Sequence, residues 1–413
     1  MGTLTEEIFS NKLNKKVSAG DIVWCPVDYI MSHDTMTVLA ISAFHELGEK
    51  VFDNEKIVIP FDHIVPPATI DQATAQKTAR EFIKKQNITH FFQEGVCHQV
   101  FVEKGFATPG SVIIGSDSHT CTYGALGAFA TGMGATDIGV AYATGGSWFR
   151  IPETINIIVN GKFKKGVYAK DLILKIIATI GVEGANYKCV EFSGSTIDNM
   201  EVHERLTLSN MAIEMGGKAG LIVPDEKTID FLKNKTNEKI ELIKPINPKY
   251  ERTLKFDVNE LSPMVACPHD LDNLKPVDEL GDITVDEVFI GTCTNGRYED
   301  LENAASILKG RKVERFTRTI IVPASVEIYK KAMENGFIKI FLDAGAIVGN
   351  PGCGPCLGRH QGVLAPGERA ITTMNRNFKG RMGSPLAEIY AASPATCAAS
   401  AITGKITDPR RFL

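Results

Sequence analysis

The chain has 413 residues, enough for two or three domains and too many for one small core. Hydrophobic residues make up 44% and charged residues 23%, and the net charge of −4 leaves no basic excess of the kind that nucleic acid or an anionic membrane demands. No run of about 18 apolar residues occurs, so no helix is expected to span a bilayer.

The opening segment, "MGTLTEEIFSNKLNKK", has no apolar export core, and nine cysteines is an odd number for a disulfide framework. A reducing, cytoplasmic setting is expected, with thiols free or bound to metal.

In chain order, one pattern recurs: an apolar, β-branched run ends abruptly in small and polar residues. "KIVIPFDH" (56–63) delivers Asp62 and His63 to a strand end, and "GVCHQV" adds His98. "SVIIGSDSHT" (111–120) delivers Asp117, Ser118 and His119. A lone histidine is ordinarily a surface or satisfied core residue. Three near strand ends, two with aspartates beside them, point towards function. Residues 117–119 make a poor hydrolytic triad, because adjacent side chains diverge. The stretch "GALGAFATGMGATDIG" (124–139) fails the dinucleotide pattern, since Asp137 takes the third glycine's place. Close helix packing accounts better for its glycines.

A fresh strand near 151–165 marks a first boundary. "ERLTLSNMAIEMGG" (204–217) reads as a helix with Asn210 and Glu214 four apart on one face, a solvated face being the plainer alternative. A polar, proline-containing stretch near 265–285 marks a second boundary. Three units are expected: 1–155 with the Asp62/His63 and Asp117–His119 segments, 156–280 with the Asn210/Glu214 helix, and 281–413.

The last unit repeats the strand-end pattern in "DEVFIGTCTN" (286–295), "TIIVPAS" (319–325), "GAIVGNPGC" (345–353) and "AITTMNRN" (370–377). The amphipathic "YEDLENAASILKG" (298–310) lies between, with Gly310 as a helix stop. Such alternation predicts α/β layers with largely parallel sheets, and ligands gather beyond the carboxyl ends of such strands. Cys353 and Cys356 form the one Cys-x-x-Cys pair, which suits redox, zinc or iron–sulfur chemistry. Cys293 lies between a strand and a helix start, where N–H groups stabilise a thiolate. No fourth cysteine has a comparable setting, and three ligands leave a position open. Cys25, Cys97, Cys121, Cys189, Cys267 and Cys397 read as buried thiols, with Cys121 and Cys267 the ones to watch. "NRNFKGR" puts Arg376 and Arg381 on one loop, either solvated or gripping carboxylates bidentately.

Together, "GTCTNGR" and "GNPGCGPCLG" resemble the iron–sulfur motifs of the aconitase superfamily. "DH", "GSDSHT" and "NRNFKGR" match its active-site segments in the same order, and the resemblance covers nearly the whole chain. Within the superfamily the sequence is similar to the large subunits of the two-subunit isomerases, the 3-isopropylmalate dehydratases and homoaconitases. "SHDTMTVLA" (32–40) departs from the pattern at Val38, where proline is common.

The resemblance implies three α/β domains of the aconitase iron–sulfur type around a central cluster site, without the swivelling fourth domain. It implies a 4Fe–4S cluster on Cys293, Cys353 and Cys356, with one iron free of protein ligands for the substrate hydroxyl and carboxylate. Asp62 and His63 would act at the leaving hydroxyl, His98 would pair with Asp117, and His119 with Glu214. Ser118, Arg376 and Arg381 would hold substrate carboxylates, and Asn210 and Asn295 would lie near the cluster. The implied reaction moves a hydroxyl by dehydration and rehydration of a 2-hydroxy acid. Its substrate would be 3-isopropylmalate in leucine biosynthesis, with homoaconitate or a dimethylmalate-like acid as alternatives. A small subunit carrying the swivelling domain is the implied partner. Competing readings are a redox protein cycling Cys353 and Cys356, and an RNA-binding apo-protein, against which the acidic balance counts.

Overall fold

The apolar runs become strands buried on both faces. In the computed structural model, which describes residues 2–237 and 239–413, every residue of Ile57–Pro60 and Val112–Gly115 is buried. A first sheet of five parallel strands runs in the order His90–Phe92, Ile57–Pro60, Tyr29–Met31, Val112–Gly115, Phe129–Gly132. Helices cover it, which is why its strands read as unbroken apolar runs and not as alternating ones. Beside it, Ile22–Pro26 pairs antiparallel with Gly146–Arg150. Val23, Cys25 and Phe149 enter the core from one face of this ribbon. Trp24 and Trp148, the chain's two tryptophans, stand on the other face with ring centroids 5.7 Å apart.

A second sheet of four parallel strands has the order Ala219–Ile222, Cys189–Ser193, Thr154–Asn160, Arg252–Asp257. The helix Ala169–Ile180 packs Leu172, Ile173, Ile176 and Ile177 into its core. That helix starts where the Asp171 carboxylate accepts the Tyr168 N–H at 2.8 Å, satisfying a donor the helix cannot.

The third sheet has seven strands, in the order Leu274–Pro276, Met264–Ala266, Glu388–Ala392, Arg369–Thr372, Glu287–Ile290, Arg318–Ile321, Ile347–Val348. The last five run parallel, and Met264–Ala266 turns antiparallel against Glu388–Ala392. This sheet therefore recruits residues 264–276, upstream of the boundary expected at 281, and the stretch that reads as a linker forms its edge. Among the described residues no helix is long and apolar enough to cross a membrane.

Candidate active site

The first thiol turn follows the strand Glu287–Ile290. Thr292 has a φ of +78°, left-handed backbone that a β-branched residue rarely adopts. Strain of this kind costs on the order of 1–3 kcal/mol and persists where the surroundings enforce it. Here the Thr373 hydroxyl accepts the Gly291 N–H and donates to the Gly291 carbonyl, both at 2.9 Å. The buried Arg297 guanidinium donates to the carbonyls of Cys293 (2.6 Å) and Thr294 (2.5 Å). Cys293 is thus fixed in the short helix Thr292–Asn295.

The second thiol loop follows Ile347–Val348. The Cys353 N–H donates to the Asp62 carbonyl at 3.0 Å, which seats this loop on the end of the first sheet. Gly358, at φ +64°, lies so close to the next turn that a Cβ would meet Gly383 N at 2.7 Å and Arg381 O at 2.8 Å. Only glycine permits that approach without strain. The Arg381 guanidinium then donates to Cys356 Sγ at 3.2 Å. Cys293 Sγ accepts from Asn210 Nδ2 (3.2 Å) and Asn375 Nδ2 (3.4 Å), and Cys353 Sγ lies 3.5 Å from Asp62 Oδ2. All three thiols are buried, and burial pushes Cys293 up to about 12. Cys353 also rises, through burial and the neighbouring Asp62 charge.

A chain of carboxylates and imidazoles runs beside the thiols. Asp62 Oδ1 meets His63 Nδ1 at 2.6 Å, and Asp62 Oδ2 accepts the Cys97 N–H at 2.7 Å. His63 Nε2 faces Asp117 Oδ2 at 3.6 Å. Asp117 Oδ1 meets His98 Nε2 at 2.7 Å and accepts the His119 N–H at 2.8 Å. His119 Nε2 meets Glu214 Oε1 at 2.6 Å. The pairs His98–Asp117 and His119–Glu214, expected from the sequence, are both present in this geometry.

Charge divides unevenly along the chain. Burial would raise Asp62, but His63, by charge and hydrogen bond, and His33 hold its carboxyl below the usual range. Burial would lower His63, but Asp62, the Cys353 sulfur and Asp117 together raise it well above the ordinary histidine value. Hydrogen bonds from His119, His63 and His98 overcome burial at Asp117 and keep it well below the carboxylate range. His98 is lowered, chiefly by burial. At neutral pH the site holds a charged His63 between two ionised aspartates, with a neutral His98 beyond.

Arg376 spans the far end. Its Nε donates to both Glu214 oxygens (2.9 and 3.1 Å), and its Nη2 donates to Ser118 Oγ at 2.9 Å. Burial would raise Glu214, but His119 and Arg376 keep it low. A cavity of about 480 Å³ opens beside Ser118, lined also by Ser116, Trp148, Ile213 and Lys218. A second, about 270 Å³, reaches Glu214 and Arg376. A third, about 550 Å³, is lined by Arg297 but by none of the three thiols.

Asn295 shares the short helix Thr292–Asn295 with Cys293. Its amide donates to Thr207 Oγ1 (3.3 Å) and Asp300 Oδ1 (3.0 Å), so it braces the turn that carries Cys293. Asn375, for which the sequence offers no separate signal, is the asparagine that joins Asn210 in donating to Cys293 Sγ. His33 joins the site without a separate motif of its own: its ring stacks on His63 at 3.8 Å. It lies within the "SHDTMTVLA" stretch. His33, Asp34, Asp62 and His63 bring ligand atoms within 4.8 Å of one another. Asp34 is nonetheless spent on structure, accepting N–H groups from Thr35, His63, Ile64 and Gln76.

The profile of the Aconitase family (aconitate hydratase) matches residues 6–282 and 270–404. The chain belongs to the aconitase family. A relative from Methanothermobacter thermautotrophicus, described as a probable 3-isopropylmalate dehydratase large subunit, is 50% identical over 413 residues, 98% of each chain. A probable methanogen homoaconitase large subunit from Methanosarcina mazei is 54% identical over 390 residues, 94% of this chain and 99% of that one. The fold is similar to that of Thermococcus kodakaraensis aconitase X (holo-form), with a TM-score of 0.53 at 14% identity, covering 90% of this chain and 92% of that chain.

Membership of the aconitase family implies a 4Fe–4S cluster, and the residues present fit one. The three buried sulfurs face one site, since Cys356 acts by charge on both Cys293 and Cys353. Arg381 Nε is buried beside Cys356 without a partner, as a donor awaiting an anionic group would be.

Proposed function

We propose that this chain is the large, cluster-binding subunit of a two-subunit hydro-lyase that isomerises a 2-hydroxy acid by dehydration and rehydration. The observation that carries the reading is the contact of the second thiol loop with His63, through Cys353 and Asp62, while Cys356 of that loop lies close enough to Cys293 to act on it by charge. Cys293, Cys353 and Cys356 would hold the 4Fe–4S cluster. When bound, the cluster supplies a Lewis-acidic iron, free of protein ligands, for the substrate hydroxyl and carboxylate.

The chain's own groups would act at the leaving hydroxyl and at the carboxylates, while removal of the carbon-bound proton would fall to the small subunit. Hydroxide is a poor leaving group, and His63 is a charged acid able to protonate it as it departs. Asp62 and Asp117 hold that proton on the ring until the bond breaks. Arg376, fixed by Glu214, presents its guanidinium beside Ser118 to a substrate carboxylate, and Arg381 offers a second. Asn210 and Asn375 donate to Cys293 Sγ, which favours the thiolate.

The names of relatives near 50% identity support 3-isopropylmalate as substrate, hence a place in leucine biosynthesis. The homoaconitase reading stands second, on the 54% identity to a relative so named. "Large subunit" in those names supports a small-subunit partner, to which we assign the swivelling domain. The test is to load the chain anoxically with iron and sulfide, add candidate small subunits, and assay a panel of 2-hydroxy acids. Turnover of 3-isopropylmalate that requires both subunits is expected. Full activity of this chain alone would overturn the two-subunit reading, and preference for homoaconitate would select the second.

A further inference from the structure

Lys170 is the second residue of the helix Ala169–Ile180 and has no exposed surface. Both facts disfavour a cation, which loses water and faces the positive end of a helix. Among the described residues its ammonium donates to two main-chain carbonyls, Thr373 O and Met374 O, each at 2.8 Å and some 200 positions along the chain. Among the described residues no carboxylate forms an ion pair with it. The adjacent Asp171 is turned away, accepting the N–H groups of Tyr168 and Met264. Burial pulls the Lys170 amine down to about 8, so it keeps most of its charge at neutral pH.

The two carbonyls stand immediately before Asn375 and Arg376. The Thr373 hydroxyl ties the same turn to Gly291, two residues from Cys293. Asn375 reaches Cys293 Sγ, and Arg376 reaches Glu214 and Ser118. A helix of the second sheet thus grips the turn of the third sheet that faces both the thiols and the carboxylate site.

We propose that Lys170 is a positioning residue, whose ammonium holds the 373–376 turn so that Asn375 and Arg376 meet Cys293 and the substrate carboxylate together. The proposal rests on the functional reading above for the role of Arg376, but not for the grip itself.

Amide exchange of the full chain, followed by mass spectrometry, tests the grip. Lys170→Met is expected to speed exchange in the peptide spanning 370–382 by roughly tenfold or more, the size of effect that losing charge-assisted hydrogen bonds produces. Peptides of the first sheet keep wild-type rates. Lys175→Met, exposed on the same helix, changes nothing. With a small subunit present, Lys170→Met raises the KM for the hydroxy acid about tenfold and alters kcat far less, as loss of substrate positioning does. If the methionine variant does not fold, Lys170→Arg decides in its place, its bulkier head disturbing the same two carbonyls. Unchanged exchange in 370–382, or equal acceleration across every peptide, overturns the proposal. Local acceleration in a chain that turns over no hydroxy acid would sink the functional reading and leave the grip standing.

Discussion

Three asparagines show how far one residue type can diverge in its partners. Asn375 bonds a thiol, Asn377 bonds the carbonyl of Cys267 at 2.8 Å, and Asn295 braces Thr207 and Asp300. Asn375 and Asn377 sit two apart in one motif, so nothing local in the sequence separates the one at the site from the one that holds a loop. Asn210 is legible only through the family resemblance: the single helix expected over 204–217 ends at Asn210, and Glu214 follows in a 3₁₀ turn, Met211–Met215. Asn375 also shares Asn210 Oδ1, at 3.3 Å, so its amide orders the whole Cys293 surround. A hydrogen bond to a charged group contributes about 1.5–3 kcal/mol. Asn375→Ala should therefore shorten the lifetime of the reconstituted cluster several-fold against a chelator under anoxic conditions, read from its visible absorbance. An unchanged lifetime would show that this amide does not support the thiolate.

Strands announce themselves when they are long, apolar and sharply ended. Ile57–Pro60, Val112–Gly115 and Glu287–Ile290 meet that description, and their ends carry the site. Met264–Ala266 and Leu274–Pro276 do not. With three residues each, and with proline and charge around them, they show no periodicity and owe their state to pairing with a distant sheet edge. Glu287 is a further exception, a fully buried carboxylate on a central strand. Burial raises it to about 7 although Arg318 Nε lies 3.1 Å away. Arg318 is raised as well, first by Glu368, to which it donates twice at 2.8 Å. The arginine thus leans on Glu368 and leaves Glu287 poorly compensated. A carboxyl raised in the fold binds its proton more tightly there than in the unfolded chain. Stability should fall as pH rises from about 4.5, the unfolded value, to about 7, and level off above. Glu287→Gln should remove that part of the slope in thermal midpoints measured across this range. An identical slope in both proteins would assign it to other groups.

No single sheet owns the site. Cys353 and Asp62 are 291 positions apart, and Cys293 and Asn210 are 83 apart, on separate loops and helices. Contacts of that span leave no trace in periodicity or spacing. They became legible only through resemblance to a family whose members share the whole arrangement, whereas the thiol pair alone fitted three chemistries equally. A ligand bridging the two thiol loops binds the folded chain and not the unfolded one, so it must stabilise the joined state. Stripping iron from the loaded chain should lower the thermal midpoint. It should also separate melting of the third sheet from that of the first, which calorimetry would record as a broadened or split transition. A single transition at an unchanged midpoint would mean that the loops hold together without help.

Trp24 and Trp148 stand side by side on the open face of one ribbon, and the chain has no other indole. Its long-wavelength fluorescence therefore issues from a single address. Anything that settles over that ribbon and dries it will turn the emission bluer, while events confined to the opposite flank will leave the colour unaltered. The molecule carries its own lamp, and the lamp lights one doorway.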